Sequence, residues 1–380
     1  MKLYEYEGIK LFEREGIPVP RHALASTPEE VVQKVQEIGL PAMIKAQVMT
    51  GGRYLAGGVK FANTLEEAAK AAKQVLGLTI KGLPVEKVMI APKIESAREF
   101  YIGITVDEYH GMPVAIISQE GGISINKIAQ ERPEMLVSRS VPISSGLSES
   151  DARRMCREVG LSGKDFIEIS RMLFALYKVF RNYDALLAEI NPIVRTVEGN
   201  YVALDSKVEI DDSSMFRHAD LGLDVKSHII NPLERRGKEI GVSYVELDGD
   251  IGIIASGAGL GMASMDIVSG RLKPANFLET GGAITADLLY KVMELVLQKP
   301  GIKALFINVY GGINPIHEGA KGVVKYLQEH HVTIPVVAKA LGNHQEETWD
   351  IFEKAGVYVI KDVSTEKGIE YIAHILGEHA

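Results

Sequence analysis

The chain carries a single cysteine, Cys156, in 380 residues. That excludes an internal disulfide framework and a cysteine-based metal site, and it suits a reducing compartment. Uncharged apolar runs of about 18 residues are missing too, so nothing in the sequence is patterned to span a bilayer. The opening MKLYEYEGIKLFEREG is charged and helical in pattern, which does not fit a secretory signal. Positive charge is in deficit: 42 Lys and Arg stand against 50 Asp and Glu, a formal net charge of -8. Neither nucleic acid nor an anionic membrane surface is therefore an expected partner. What is present is an ordinary globular composition, 46% hydrophobic and 24% charged. The length predicts two or three domains with more than one core, and the expected location is cytoplasmic.

The most informative stretch is Leu186 to Ile210, LLAEINPIVRTVEGNYVALDSKVEI. β-Branched and aliphatic residues flank Glu198-Gly199-Asn200, which predicts two strands joined by a turn. Glu189, Asn191 and Asp205 interrupt this apolar pair. An isolated carboxylate is expensive in an apolar strand, and a hard cation is an efficient neutraliser of clustered oxygen atoms. Asn191 and Asp205 are on adjacent strands at a reach that suits Mg²⁺, with the remaining positions left to water and nucleotide phosphates. The plainer alternative is that Asp205 ends its strand and Asn191, before Pro192, makes a turn.

Ahead of that stretch the pattern predicts a helix over 3–15, then a helix opened by the capping box Thr27-Pro28-Glu29-Glu30. A strand over 42–47 leads into the glycine loop 49–58, and a second box at Thr64 opens a helix to about Leu76. Strands at 85–90, 99–107 and 113–118 read as an antiparallel meander. A long helix over 162–180 delivers the chain to the central pair. Residues 212–243 read as a polar connector. From Gly249 onward apolar strands at 251–255, 275–278, 304–310, 336–338 and 357–360 alternate with helical segments, the signature of a doubly wound parallel sheet. The predicted domains are 1–240 and 241–380.

Lys45, near the end of a buried strand, must meet an anion or lower its pKa. The loop after it contributes backbone N–H groups and Arg53, a combination suited to phosphates. With Glu189, Asn191 and Asp205 it predicts a nucleoside triphosphate held between two β-rich lobes. In the second domain Ser256-Gly257-Ala258-Gly259 follows a strand and opens a helix, where an anion would sit on the helix N-terminus. The loop Tyr310-Gly311-Gly312-Ile313-Asn314-Pro315 should lie beside it at the carboxyl edge of the sheet. Alternatively these glycines only allow close helix–strand packing.

The opening KLYEYEGIKLFEREGIPVP, the loop AQVMTGGRYLAGGVK, then EFYIG, AEINPIV, ALDSKV, MFRHADL, GAGLGMASMDIV, PANFLETGG and INVYGGI occur in one order over essentially the whole chain. Together they resemble the β subunit of succinyl-CoA synthetase, the ADP- or GDP-forming acid–CoA ligase. The resemblance implies an N-terminal ATP-grasp fold followed by a C-terminal flavodoxin-like domain. It places Lys45, Gly52, Arg53, Tyr54 and Glu99 at nucleotide-contacting positions and Asn191 and Asp205 at the Mg²⁺ ligands. Glu189 falls on the glutamate that meets a phosphohistidine visiting the nucleotide site. Ser256, Gly312, Ile313 and Asn314 fall on the organic-acid site, and the helix from Gly257 on one that helps hold the phosphohistidine.

In that family the histidine takes the γ-phosphate of ATP or GTP and passes it to the acid as an acyl phosphate, which CoA thiolate then attacks. It belongs to an α subunit, in a Gly-His-Ala-Gly loop, and that subunit also holds most of the CoA. None of the ten histidines here has that context. The resemblance therefore implies an α partner, in an αβ or α2β2 assembly, and a place in the tricarboxylic acid cycle.

Several positions depart from the family. Tyr54 and Leu55 stand where a Gly-Lys pair is usual, and a tyrosine takes φ > 0 only with strain, so a changed loop path or nucleotide contact is expected. Ala91 replaces a glutamate near the base-binding hinge. Ser256 replaces a common asparagine and Asn314-Pro315 alters the adjoining loop, which raises an acid other than succinate, such as malate, citrate or a sulfonated short acid. A non-catalytic nucleotide-binding paralogue is the remaining alternative, opposed by the retained charged residues.

Overall fold

The computed structural model describes residues 1–377, which divide between His228 and Ile229 into two compact units. In the first unit a small antiparallel sheet runs in the order Ala23–Ala25, Val88–Pro92, Ala42–Ala46, Val59–Ala62. Helices Pro28–Ile38 and Leu65–Leu76 cover it, burying Val31, Val35, Ala68, Ala72 and Val75. Both start as the sequence predicts: Thr27 Oγ1 accepts from the Glu30 N–H at 3.2 Å and Thr64 Oγ1 from the Glu67 N–H at 3.1 Å.

A larger sheet runs Tyr201–Ala203, Ala185–Thr196, Ser96–Asp107, Met112–Ser118, Leu136–Ser140, and Lys207–Ile210 also pairs with Ala185–Thr196. The expected meander is thus corrected. Val88–Pro92 pairs with Ala23–Ala25 and Ala42–Ala46 in the small sheet instead. Val88, Met89, Ile90 and Ala91 are all buried, the mark of a central strand covered on both faces, which is why the run lacks alternation. Helices Glu149–Glu158 and Gly163–Asn182 back the larger sheet, and Ile169, Leu173 and Leu176 pack with Phe100, Ile102, Ile117 and Ile190.

The strand Ala185–Thr196 holds this sheet together. It pairs with Ser96–Asp107 on one side and with both Tyr201–Ala203 and Lys207–Ile210 on the other. Gly199 takes the left-handed φ of +83° that the turn needs.

The polar stretch 212–243 is a connector only in its first half, which forms short 3₁₀ turns. Asn231-Pro232 starts a helix, Pro232–Ile240, because the Asn231 side chain accepts from the Leu233 and Glu234 N–H groups at 2.8 and 3.2 Å. Gly237 inside it allows close packing: a Cβ there would sit 2.7 Å from the Tyr244 Cβ. This helix packs on the strand Ser243–Glu246, so the division falls ahead of the expected residue 240.

In the second unit Ser243–Glu246 is an antiparallel edge, followed in space by the parallel strands Asn276–Glu279, Ile251–Ala255, Ala304–Gly311, Val336–Gly342 and Tyr358–Ile360. Helices Ala286–Leu297 and Ile316–Glu329 bury one face, with Val292, Val296, Leu305, Ile307 and Val323 at its centre. Helices Ala258–Ser269 and Glu366–Ile375 bury the other through Val268, Phe306, Ile369 and Ile372. After Ile251–Ala255 the chain moves outward to Asn276–Glu279, then crosses back to Ala304–Gly311. The topological switch point lies between those two central strands, at the ends carrying Ser256 and Tyr310.

Candidate active site

The anion that Lys45 needs is internal. Its Nζ lies 3.0 Å from Glu5 Oε1 and donates to the Leu204 carbonyl at 2.6 Å. Arg53 also donates to Glu5, to the Ala46 carbonyl at 3.2 Å and to Asp205 Oδ1 at 2.7 Å. Glu5 is the residue that sequence reasoning missed. Its side chain is 1% exposed, yet it sits on the first turn of helix Glu5–Arg14. Helical spacing carried the signal, since Glu5 is one turn before buried Ile9 and two before buried Phe12.

The four charges alternate: Lys45, Glu5, Arg53, Asp205. Burial raises the Glu5 carboxyl, but Lys45 and Arg53 more than reverse this and hold it below its ordinary 4.5. Asp205 moves the other way. Loss of surrounding water and repulsion from Glu5 raise it above 3.8 against the pull of Arg53 and Lys45.

Asn191 lies opposite Asp205. The antiparallel register pairs Glu189 with Lys207 and Ile193 with Ala203, and between them the Leu204 N–H donates to the Pro192 carbonyl at 3.1 Å. Asn191 Oδ1 accepts from the Gly122 N–H at 2.7 Å, and its Nδ2 donates to the Ile123 carbonyl at 2.9 Å. Glu99 joins here: its Oε2 lies 2.3 Å from where a Cβ on Gly122 would sit, and Gly122 takes a left-handed φ of +73° that favours glycine. Glu189 is set apart from the four-charge group, with Lys207 Nζ at 3.5 Å.

An amide oxygen and a carboxylate on facing strands are hard donors of the kind Mg²⁺ takes. The hydrogen bonds Asp205 accepts, from Arg53 and the Ser206 N–H, both fall on Oδ1, so among the described residues Oδ2 is left for a cation. The residues present fit the ion.

The glycine loop needs no strain at Tyr54. Gly52 and Gly57 take the left-handed positions at φ +81° and +75°, while Tyr54 and Leu55 point outward, 76% and 92% exposed. The expected distortion of the loop is therefore not required.

In the second unit Ser256 Oγ accepts from the Tyr310 N–H at 2.8 Å and donates to the Tyr310 carbonyl at 3.1 Å. Asn314 Nδ2 donates to the Gly282 carbonyl, and Asn343 Nδ2 to the Ile313 carbonyl at 2.8 Å. Ser256 and Asn314 thus fasten the loop that carries Gly312 and exposed Ile313. The helix Ala258–Ser269 starts at Gly257 with no side-chain cap, its first N–H groups directed toward the switch point.

An ATP-grasp domain model matches residues 2–195 and a CoA-ligase model residues 254–369. The GDP-forming succinate–CoA ligase β subunit of Thermus thermophilus is 42% identical over 361 residues, 94% of this chain and 95% of that one. The ADP-forming β subunit of Chloroflexus aurantiacus is 40% identical over 349 residues, 91% and 92% of the two chains. Among solved structures, ATP citrate lyase from Methanothrix soehngenii, in complex with citrate and coenzyme A, superposes with a TM-score of 0.77 at 18% identity over 99% of both chains. That likeness concerns the fold, which is the expected ATP-grasp unit followed by a doubly wound one. By both domain models and by its relatives, the chain belongs to the family of succinate–CoA ligase β subunits, ligase subunits of a heteromeric enzyme.

Proposed function

We propose that this chain binds a magnesium nucleotide in its first unit and an organic acid at the switch point of its second, and phosphorylates a histidine on an α subunit. The observation that carries the reading is the charge alternation of Lys45, Glu5, Arg53 and Asp205 opposite Asn191, with the first three side chains largely buried and Asp205 partly open to solvent. Lys45 and Arg53 supply cations next to the glycine loop, and Gly52 lets its backbone approach phosphate oxygens. Asn191 and Asp205 would hold Mg²⁺, and the ion would supply neutralisation of phosphate charge there. Tyr54 and Glu99 complete the nucleotide contacts. The relatives' names support succinate as the acid and either ADP or GDP as the nucleotide product; the partner subunit holds most of the CoA. Ligand-dependent phosphorylation of a co-purified α subunit by ATP or GTP tests the whole reading, and absence of any phosphorylation would favour a non-catalytic paralogue.

Glu189 is assigned to the incoming histidine rather than to the metal, because its nearest cation is Lys207 and not the four-charge group. Glu189→Gln should leave nucleotide affinity within about twofold and slow phosphorylation of the partner about 100-fold. Calorimetric ATP binding alongside a phosphorylation time course checks this; equal losses in both would return Glu189 to the nucleotide site.

Ser256 and Asn314 act on the acid by positioning the loop 310–314. Ser256→Ala removes two hydrogen bonds to Tyr310, and the expected effect is a rise of about fivefold in the KM for the acid, from roughly 1 kcal/mol of lost positioning, with the nucleotide KM unchanged. Steady-state titration of both substrates decides it. Ser256→Asn, assayed on succinate, malate and citrate, reports whether this position also selects the acid.

A further inference from the structure

The proposed reaction leaves unused a group of side chains where two helices of the second unit begin side by side. His317 is in the first turn of Ile316–Glu329, His344 is the N-cap of Gln345–Lys354, and Glu347 is in that helix's first turn. Their ligand atoms all lie within 4.8 Å of one another. The imidazole centroids are 4.6 Å apart, and Glu347 places one oxygen 3.2 Å from His344 Nδ1 and the other 3.9 Å from His317 Nε2.

Two features go beyond what helix packing requires. His317 has a side chain only 13% exposed; its Nε2 lies toward Glu347 and 3.0 Å from Glu318 Oε1, and its Nδ1 is buried without a hydrogen-bond partner among the described residues. A buried polar atom left unmatched is disfavoured. His344 holds a left-handed backbone, φ +62°, a conformation uncommon outside glycine. The result is two imidazoles and a carboxylate converging from separate segments.

We propose that His317, His344 and Glu347 form a binding site for one divalent transition-metal ion of the zinc class. Two imidazole nitrogens and one carboxylate are a donor set for Zn²⁺, Ni²⁺ or Cu²⁺, not the all-oxygen set that Mg²⁺ and Ca²⁺ prefer. Three protein ligands leave a fourth position open to water or a small anion. The positive ends of two helices oppose a cation here, and Glu318 and Glu346, with Glu347 in the same first turns, offset them.

The site bears on the acid loop through Asn343, the neighbour of His344. The Asn343 N–H donates to the Gly311 carbonyl at 2.7 Å, and its Nδ2 to the Ile313 carbonyl. A metal that ties His344 to His317 therefore fixes both ends of the segment from Gly311 to His317.

The test uses the full, tag-free chain, stripped with a chelator and kept in excess Mg²⁺ so that the Asn191–Asp205 site is not the one reported. Titration with Co²⁺, read by visible absorption, and with Zn²⁺, read by calorimetry, should show one equivalent per chain and a metal-dependent rise in Tm. Both signals should vanish in His317→Ala and in His344→Gln and persist in Asp205→Asn. His344 is half exposed, so His344→Gln should match the parent's metal-free Tm even if His317→Ala does not fold. No saturable binding, binding that survives His344→Gln, or binding lost in Asp205→Asn would each overturn the proposal.

Discussion

Asp205→Asn should abolish nucleotide-dependent phosphorylation of the partner and at the same time raise the chain's thermal midpoint near neutral pH. The two effects have one origin. The Asp205 carboxyl is raised above its ordinary value, first by loss of water and then by Glu5 across the shared Arg53. A carboxyl whose folded pKa lies above its ordinary value opposes folding once it ionises. Its destabilising effect is absent below 3.8 and complete above the folded pKa. Asparagine mimics the uncharged form at every pH, so the stability gain appears at neutral pH and disappears in acid. The same change removes the only carboxylate of the proposed metal pair, and activity should fall about 100-fold or more. Stability is then being given up at this residue for function. Differential scanning calorimetry at pH 7 and pH 3.5, beside a phosphorylation assay, measures both arms. A lower midpoint at pH 7, or retained phosphorylation, would sink the argument.

The elements that position this site were legible because their signals are local. The boxes at Thr27 and Thr64, the turn at Gly199 and the apolar strands after Gly249 each depend on a few neighbouring residues, and each stands where the sequence puts it. Sheet membership was not legible for Val88–Pro92, because a strand buried on both faces carries no period to say which sheet it joins. The helix Pro232–Ile240 was hidden by residues that usually break structure; Asn231-Pro232 capped it and Gly237 met Tyr244. The helix Glu149–Glu158, opened by a Ser148–Asp151 capping box, carries too few apolar residues to stand out by periodicity. Within the site, Lys45 and Arg53 were identified as cations in want of an anion. Finding which anion needed the fold, since Glu5 lies far from both in sequence and meets them only in the folded chain.

Glu5→Gln carries the opposite expectation from Asp205→Asn, a loss of about 3–5 kcal/mol of stability, the usual consequence of removing one partner from a buried charge group. Glu5 is almost fully buried and Lys45 and Arg53 nearly so, so solvent screens these pairs little. Its carboxyl is held below the ordinary value, so its contribution is fully present above pH 4.5 and lost as pH falls through the folded pKa. Wild-type and Glu5→Gln unfolding midpoints should therefore keep a constant separation above about pH 5 and converge as pH falls below 4.5. Urea unfolding across that range measures this, and a pH-independent gap would mean that Gln disturbs packing rather than charge. The double variant is the sharper discriminator. After loss of water, repulsion from Glu5 is the next cause of the raised Asp205 carboxyl; without Glu5, Asp205 becomes the sole carboxylate paired with Lys45 and Arg53 among the described residues. In the Glu5→Gln background, Asp205→Asn should then lower the midpoint instead of raising it. Such a reversal of sign is possible only when the two carboxylates act on each other through the cations between them, and simple additivity would show that they do not.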